Sequence, residues 1–392
     1  MTNNHDGSLP SHLTGPSSRD SRFTVDLFLA EFDIWLHSYF LTGLVQLAKE
    51  GSITLRVMSG HDLRRCLTMQ NSGYRLLTLK CTETESNNSR LICFDPKDQS
   101  DAWQTKALEE CDIYYKRSTY RPDTERLTKS QQFKVRPINP MFATWCSGAG
   151  IWNMRLYAAF VMRAVRQIIA RQSPRETVNF MLGNFRVFAF LSTLDHYEDT
   201  PAGNKRKQVL FQTRLWDPSE EEGDWVEKCN RERVEMVRVL KRRLGTSFIG
   251  GLMRTTYTEK NYPELLSNLT LTATAKRPEF IRLCRQFLVR VNIKALFDAV
   301  PYSLGETLAA NNCLVSENIR NSFATPLDEG KHYIGFTTPE ECADRCQELL
   351  DSNDKAIRLR EAAHDYYRKA VCPKEAMRAF LAQAMCELPR KM

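Results

Sequence analysis

From Phe23 onward the apolar and polar positions of this chain shift repeatedly between a helical and an extended period, and the shifts mark out short strands separated by helices. Val25, Leu27 and Phe28 open an extended passage. Phe32, Ile34, Trp35, Tyr39, Leu41, Leu44, Val45 and Leu47 then predict a helix over 34–49, followed by a strand over 53–58. Further strands are predicted at 74–81, 91–95, 112–120 and 134–138. A long helix over 152–172 places Val161, Met162, Val165, Ile168 and Ile169 on one arc, with Arg155, Arg163, Arg166 and Arg171 on the other.

A polar break at 200–208, TPAGNKRKQ, reads as the linker to a second domain. Beyond it the pattern predicts strand 209–215, helix 224–244, strand 248–253, short helix 263–269, short strand 272–275, helix 278–285 and strand 287–293. In the helix over 224–244, Cys229, Val234, Met236, Val237 and Leu240 recur at helical spacing. A short helix containing Glu306 precedes strand 314–317, a long loop and a last short strand near 333–336. Thr338 followed by Pro339 and Glu341 predicts a capping box opening a helix to Leu350, and helices over 354–369 and 373–387 close the chain. Short strands alternating with helices call for parallel sheets joined by crossover helices, the α/β class.

Residues 1–24, rich in Ser, Asn, Pro and Gly, lack the apolar content to pack and read as a disordered leader. The 392 residues exceed the roughly 250 to 300 at which single cores stop growing, so two domains are expected. A composition of 42% hydrophobic and 26% charged residues is that of an ordinary globular protein. The net charge of +8 is spread over 55 basic and 47 acidic residues, and the basic runs 205–207 and 241–243 lack interleaved aromatics, so nucleic acid is not the expected partner. The 12 scattered cysteines, with no CxxC pair, argue for reduced thiols in a cytoplasmic setting. Cys342 and Cys346 read as core residues and no metal site is expected. No apolar run is long enough to span a bilayer.

Several residues carry chemistry in this pattern. Asp33 and His37 share a helix face, reading either as a solvated, capping face or as a catalytic base toward a cleft. Lys116 and Arg117 follow a strand end, where α/β sheets gather ligands. Cys146-Ser147-Gly148-Ala149-Gly150 lies before a helix but lacks phosphate-loop spacing. The basic helix over 152–172 reads as a core-facing helix or as a peripheral membrane contact. Glu306 is a lone carboxylate among small and apolar neighbours.

Gly305-Glu306-Thr307-Leu308-Ala309, then Leu314-Val315-Ser316-Glu317, then Glu329-Gly330-Lys331-His332-Tyr333-Ile334-Gly335-Phe336 and Thr337 to Glu341 resemble the carboxyl-terminal half of group 1 GT-B glycosyltransferases. Val209 to Pro218 resembles the strand that opens the same domain, and the likeness covers roughly the last half of the chain. The resemblance implies a GT-B fold of two Rossmann-like domains facing across a cleft. It places an acceptor domain at 25–200, a nucleotide-sugar donor domain at 205–372, and a last helix, 373–392, packed back on the first domain.

It further implies metal-independent transfer of a sugar from a nucleotide-diphosphate donor to a glycan or lipid-linked acceptor, with no cofactor. Glu306 takes the ribose-binding position, flanked by Gly305 and Thr307. Asp298 stands where the family has the first of two glutamates seven residues apart, and Arg214 takes the place of the arginine facing the diphosphate. Asp33 and His37 become catalytic candidates and Lys116 and Arg117 acceptor-binding candidates. The acidic run Glu220-Glu221-Glu222 departs from the family's lysine. The alternative is an inactive GT-B-like binding module.

Overall fold

The computed structural model describes residues 22–28, 34–58, 76–156, 158, 175, 179, 182, 191–219, 225–269 and 277–386. Its first sheet takes strands β1 (Phe23–Phe28), β2 (Ile53–Met58), β3 (Leu77–Glu83), β4 (Ser89–Asp95), β5 (Ile113–Lys116) and β6 (Val135–Pro137) in the order β2-β1-β3-β4-β5-β6. The pairs β1–β2, β4–β5 and β5–β6 are parallel, but β3 runs antiparallel to both β1 and β4. This corrects the expectation of a wholly parallel first domain. A short turn at 84–88, with Asn87 at φ 56°, closes β3 and β4 into a hairpin, which needs no crossover helix.

The second sheet contains β7 (Arg206–Thr213), β8 (Phe248–Leu252), β9 (Phe287–Asn292), β10 (Cys313–Glu317) and β11 (Ile334–Phe336), all parallel, in the order β11-β10-β9-β7-β8. Parallel strands covered on both faces read as apolar runs, and all six residues of β9 are buried. The helices that matter below are α1 (Ile34–Lys49), α2 (Trp225–Leu244), α3 (Arg277–Cys284), α4 (Tyr302–Ala309), α5 (Pro339–Asp351), α6 (Asn353–Tyr366) and α7 (Pro373–Cys386). Helices α2 and α5 cover one face of the second sheet in a core with Val209, Val289 and Val315. Leu304 and Leu308 of α4 belong to a different core, shared with the first sheet, α1 and α7.

The carboxyl ends of the two sheets face one another. Arg117, one residue beyond β5, donates to the Val300 carbonyl at 2.6 Å, and Thr119 exchanges two 2.9 Å hydrogen bonds with Ser322 beyond β10. Gly305 is glycine for a packing reason, because a Cβ there would press on the Phe142 ring and the Met141 backbone of the first domain. After α6 the chain makes a π-helical turn at Tyr367–Val371 and returns as α7 to the first domain. There the Tyr115 hydroxyl donates to the Phe380 carbonyl at 2.9 Å, and the Tyr115 ring stacks on Phe94.

Strand β1 begins at Phe23, so Phe23 and Thr24 leave the expected leader; residues 1–21 lie outside the described residues. The short strand expected at 272–275 and most of the helix expected at 152–172 also lie outside them, including the apolar arc from Val161 to Ile169. Only 151–156 and Ala158 of that helix are described, as helical. Thr338 caps α5 by accepting from the Glu341 amide at 3.2 Å. The Glu341 carboxylate, however, reaches Thr337 instead of Thr338, so the reciprocal half of the capping box is displaced by one residue.

The break at 200–208 is not a loose tether. The buried Lys205 ammonium donates to Asp199 at 2.7 Å and to the Arg285 and Ala310 carbonyls at 2.6 and 2.8 Å. Arg360 binds the carbonyls of Pro201, Gly203 and Asn311, each at 3.0 Å. Proteases cut where backbone opens, and this crossing is clamped from both sides. No helix among the described residues is long and apolar enough to cross a membrane.

Helix α7 lies so close to α1 that a Cβ at Gly43 would overlap the Pro373 carbonyl and the Met377 Cβ. Helix propensity favours Gly43→Ala by up to about 1 kcal/mol, whereas forced overpacking costs roughly 1 to 3 kcal/mol. The clash should win, and denaturant unfolding is expected to show Gly43→Ala destabilised. An unchanged or raised midpoint would mean that α7 does not seat on α1 in this way.

Candidate functional site

In the second sheet the crossovers from β7 and β9 leave toward opposite faces, α2 to one and α4 to the other. At such a reversal of strand order, neither helix roofs the gap between the two strands, and ligands of open α/β sheets gather there. Here the gap is real. Strand β7 pairs with β8 as far as Thr213, and β9 pairs with β10 as far as Asn292, but the register between β7 and β9 ends at Leu210 opposite Arg290. Beyond that point they part and leave a narrow crevice, partly open to solvent.

Phe211, Gln212 and Thr213 line one side of the crevice, Val291, Asn292 and Ile293 the other, and Arg233 of α2 and Pro301 and Ser303 of α4 complete it. Gln212 Oε1 is buried there without a hydrogen-bond partner among the described residues. The amino end of α4, with Pro301 in the capping position, has no side-chain cap among the described residues, so the positive end of its dipole borders the crevice. Asn292 fixes that end by donating to Thr307 Oγ1 at 3.1 Å and bonding Ser303 Oγ.

Behind the crevice lies a buried ionic cluster. Glu306 Oε2 accepts from Arg290 at 2.9 Å, and Glu306 Oε1 accepts from Arg277. Arg277 in turn lies over the Trp35 ring of α1, 4.8 Å from its centre, so the cluster ties the second domain to the first. Burial pushes the Glu306 carboxyl up, but the two guanidiniums outweigh it and hold the group below its ordinary value. Two cations against one anion leave this buried cluster with a surplus positive charge.

The residues singled out in the sequence fall differently from expectation. Glu306 is 6% exposed and turned toward its arginines, so it is not the open polar feature of the cleft, because only charged partners make its burial tolerable. Thr307 is wholly buried, its hydroxyl donating to the Ser303 carbonyl at 2.6 Å, and Gly305 is packed on Met141 and Phe142, so neither presents a side chain to a donor. Asp298 is near the crevice mouth in a strained stretch, with φ 57° at Phe297 and 56° at Asp298, held by Arg320 at 3.1 Å and Lys294 at 3.7 Å.

Arg214 is exposed just past β7 and meets the crevice only through its carbonyl, which accepts from Arg233 at 2.6 Å. Lys116 is corrected outright: it is fully buried, bonded to Asp95 at 3.0 Å and the Ala102 carbonyl at 2.9 Å, beyond reach of any acceptor. Arg117 is occupied in joining the domains, paired with Asp98 and stacked 4.1 Å from the centre of the Tyr302 ring. His37 is wholly buried within α1. Asp33 lies outside the described residues.

Arg277, Arg290 and Arg233 were missed, although two left a trace. Arg290 interrupts the apolar run Phe287-Leu288-Val289-Arg290-Val291, and Arg233 occupies the apolar arc of α2 between Asn230 and Val237. A charge on a buried face points to a buried partner or a ligand. No group of metal-ligating side chains forms a cluster among the described residues.

No family model matches the chain, and neither does any curated protein. Solved structures similar to it include the C-terminal domain of the group 1 glycosyl transferase LpcC of Francisella tularensis, at 8% identity over 45% of this chain and 97% of that one, TM-score 0.31. Another is Anabaena HepE in complex with UDP and glucose, at 12% identity over 69% and 91% of the two chains, TM-score 0.34. A third is a DNA-modifying β-glucosyltransferase, at 12% identity over 92% and 98%, TM-score 0.38. At these scores the likenesses are loose. The GT-B arrangement itself is seen in the two α/β sheets meeting at their carboxyl ends and in the last helix returning to the first domain.

Removing the Glu306 charge strands the buried Arg290 and the partly buried Arg277, and breaking a buried pair costs about 3 to 5 kcal/mol. Glu306→Gln is therefore expected to lower the unfolding free energy by about that much in urea titrations. Because the folded carboxyl titrates below its ordinary value, its contribution is full above that ordinary value and is lost as pH falls through the lower folded one. The variant should show a flatter acid limb than the parent. Parent-like stability and acid sensitivity would remove the cluster as an anchor.

Proposed function

We propose that the chain is a glycosyltransferase that takes its sugar from a nucleotide-diphosphate donor bound in the crevice between β7 and β9. The observation that carries this reading is the parting of those strands where the crossovers reverse, beside an uncapped helix amino end and buried arginines. The leaving diphosphate gains negative charge during transfer, and fixed dipoles and cations in a partly closed site stabilise that charge. Transfer on this reading needs no divalent metal. The first domain faces the same edge and would carry the acceptor, a glycan or lipid-linked saccharide, as in polysaccharide assembly.

A second reading, a GT-B-like module that binds without turnover, draws on two observations. His37 is sealed in α1, and Glu306 is already engaged by arginines. The two readings agree on the crevice and differ on chemistry.

A thermal-shift screen of uridine, guanosine and adenosine diphosphates and their sugars separates them. A ligand at about 100 times its Kd adds roughly 2.7 kcal/mol, so one nucleotide series should raise the midpoint clearly. Under the transferase reading that nucleotide sugar is consumed at the same rate with and without chelator. Binding without consumption would favour the module. No response to any nucleotide would sink both, and activity restored only by Mg²⁺ or Mn²⁺ would overturn the metal-independent step.

A further inference from the structure

Arg233 combines features that a structural arginine seldom has together. It projects from the middle of α2 on the helix's buried side and is 8% exposed, yet it lines the crevice. Among the described residues no carboxylate lies within ion-pairing distance of its guanidinium. Its contacts include the Arg214 carbonyl, which Nη1 reaches at 2.6 Å, the Trp216 ring, whose centre lies 4.2 Å from Cζ, and the Cys229 thiol one turn earlier on α2. Nε is buried with no acceptor among the described residues. Burial lowers the pKa of Arg233, outweighing the opposing pull of Cys229 and Glu232 beside it on α2.

A buried charge with no counter-ion among the described residues calls for other means of fixing it. The fold supplies them by clamping the platform beneath it. Asn230, one turn earlier on α2, accepts from the Trp216 amide at 3.1 Å and donates to the Trp216 carbonyl at 2.7 Å. The Trp216 backbone is thereby held, and the guanidinium lies over its ring, with Nε left without a partner among the described residues. Pro301 and Ser303, at the uncapped amino end of α4, line the same crevice. Two independent sources of positive potential therefore border one partly solvent-open space.

We propose that Arg233 is the cation that receives the diphosphate charge of the donor, in place of Arg214; this rests on the donor-crevice reading above. Arg214, exposed in water, would be worth little to a bound anion, whereas a stacked guanidinium in a partly desolvated crevice forms stronger charge-assisted hydrogen bonds to phosphate oxygens.

The test measures binding of inorganic pyrophosphate and of uridine diphosphate by calorimetry to the parent chain, Arg233→Gln, Arg233→Lys and Arg214→Gln. Arg233→Gln should weaken both ligands by on the order of tenfold or more, and Arg214→Gln by less than about fivefold. Arg233→Lys keeps the charge without the fork or the stack and should fall between. Should Arg233→Gln fail to fold, Arg233→Lys against Arg214→Gln decides: the lysine variant must be the weaker binder. Failure of the parent to bind either ligand, or equal binding by Arg233→Gln, overturns the proposal.

Sugar transfer is read separately. Pyrophosphate binding that depends on Arg233 without any transfer supports the anion site and counts against the transferase. Transfer at the parental rate in Arg233→Gln overturns the anion site and leaves the transferase reading intact.

Discussion

The site depends on a constraint of topology. When two neighbouring parallel strands send their crossovers to opposite faces, no single helix closes the seam between their carboxyl ends. In this chain α2 and α4 leave β7 and β9 in that way, and the strands lose register after Leu210 and Arg290. Everything polar about the site borders that seam or stands close behind it. Among the described residues, the amino end of α4 is left uncapped beside it, the Gln212 carbonyl oxygen is left unpaired in it, and Arg290 and Arg233 flank it.

The charges near the seam divide into two kinds. Glu306, Arg290 and Arg277 form a closed cluster that also reaches Trp35, so it holds α4 and α3 in place and joins the two domains. Buried ion pairs of this sort add little net stability over an apolar packing, but removing one member is costly, which makes them effective at fixing a single arrangement. Arg233 is of the other kind: stacked, clamped and without a carboxylate among the described residues. In the first domain Lys116 and Asp95 are closed on each other, and Arg117, paired with Asp98, also reaches across to Val300.

Much of the local structure was legible. The helix expected at 34–49 is Ile34–Lys49, buried nearly all round, while the strand at 53–58 is Ile53–Met58 and the helix at 224–244 is Trp225–Leu244, each with a buried stripe of the right period. Strand direction was not legible: period 2 is the same in either sense, and the reversed β3 went unseen. The site was harder still. Glu306 and Lys116 looked like cleft residues because a charge among apolar neighbours has either a ligand or a partner. Their partners, Arg277 and Arg290 for one and Asp95 for the other, lie 16 to 29 residues away, beyond local pattern. Arg233 could have been found, since an arginine on the apolar arc of a helix contradicts its own stripe.

The most direct test of the crevice is hydrogen–deuterium exchange of the whole chain with and without the nucleoside diphosphate that stabilises it most. The account predicts that protection concentrates in two separated stretches, the end of β7 with Arg214 to Trp216, and the end of β9 through Pro301 and Ser303 at the start of α4. Protection confined to the first sheet, or spread evenly with no maximum at those two strand ends, would contradict it.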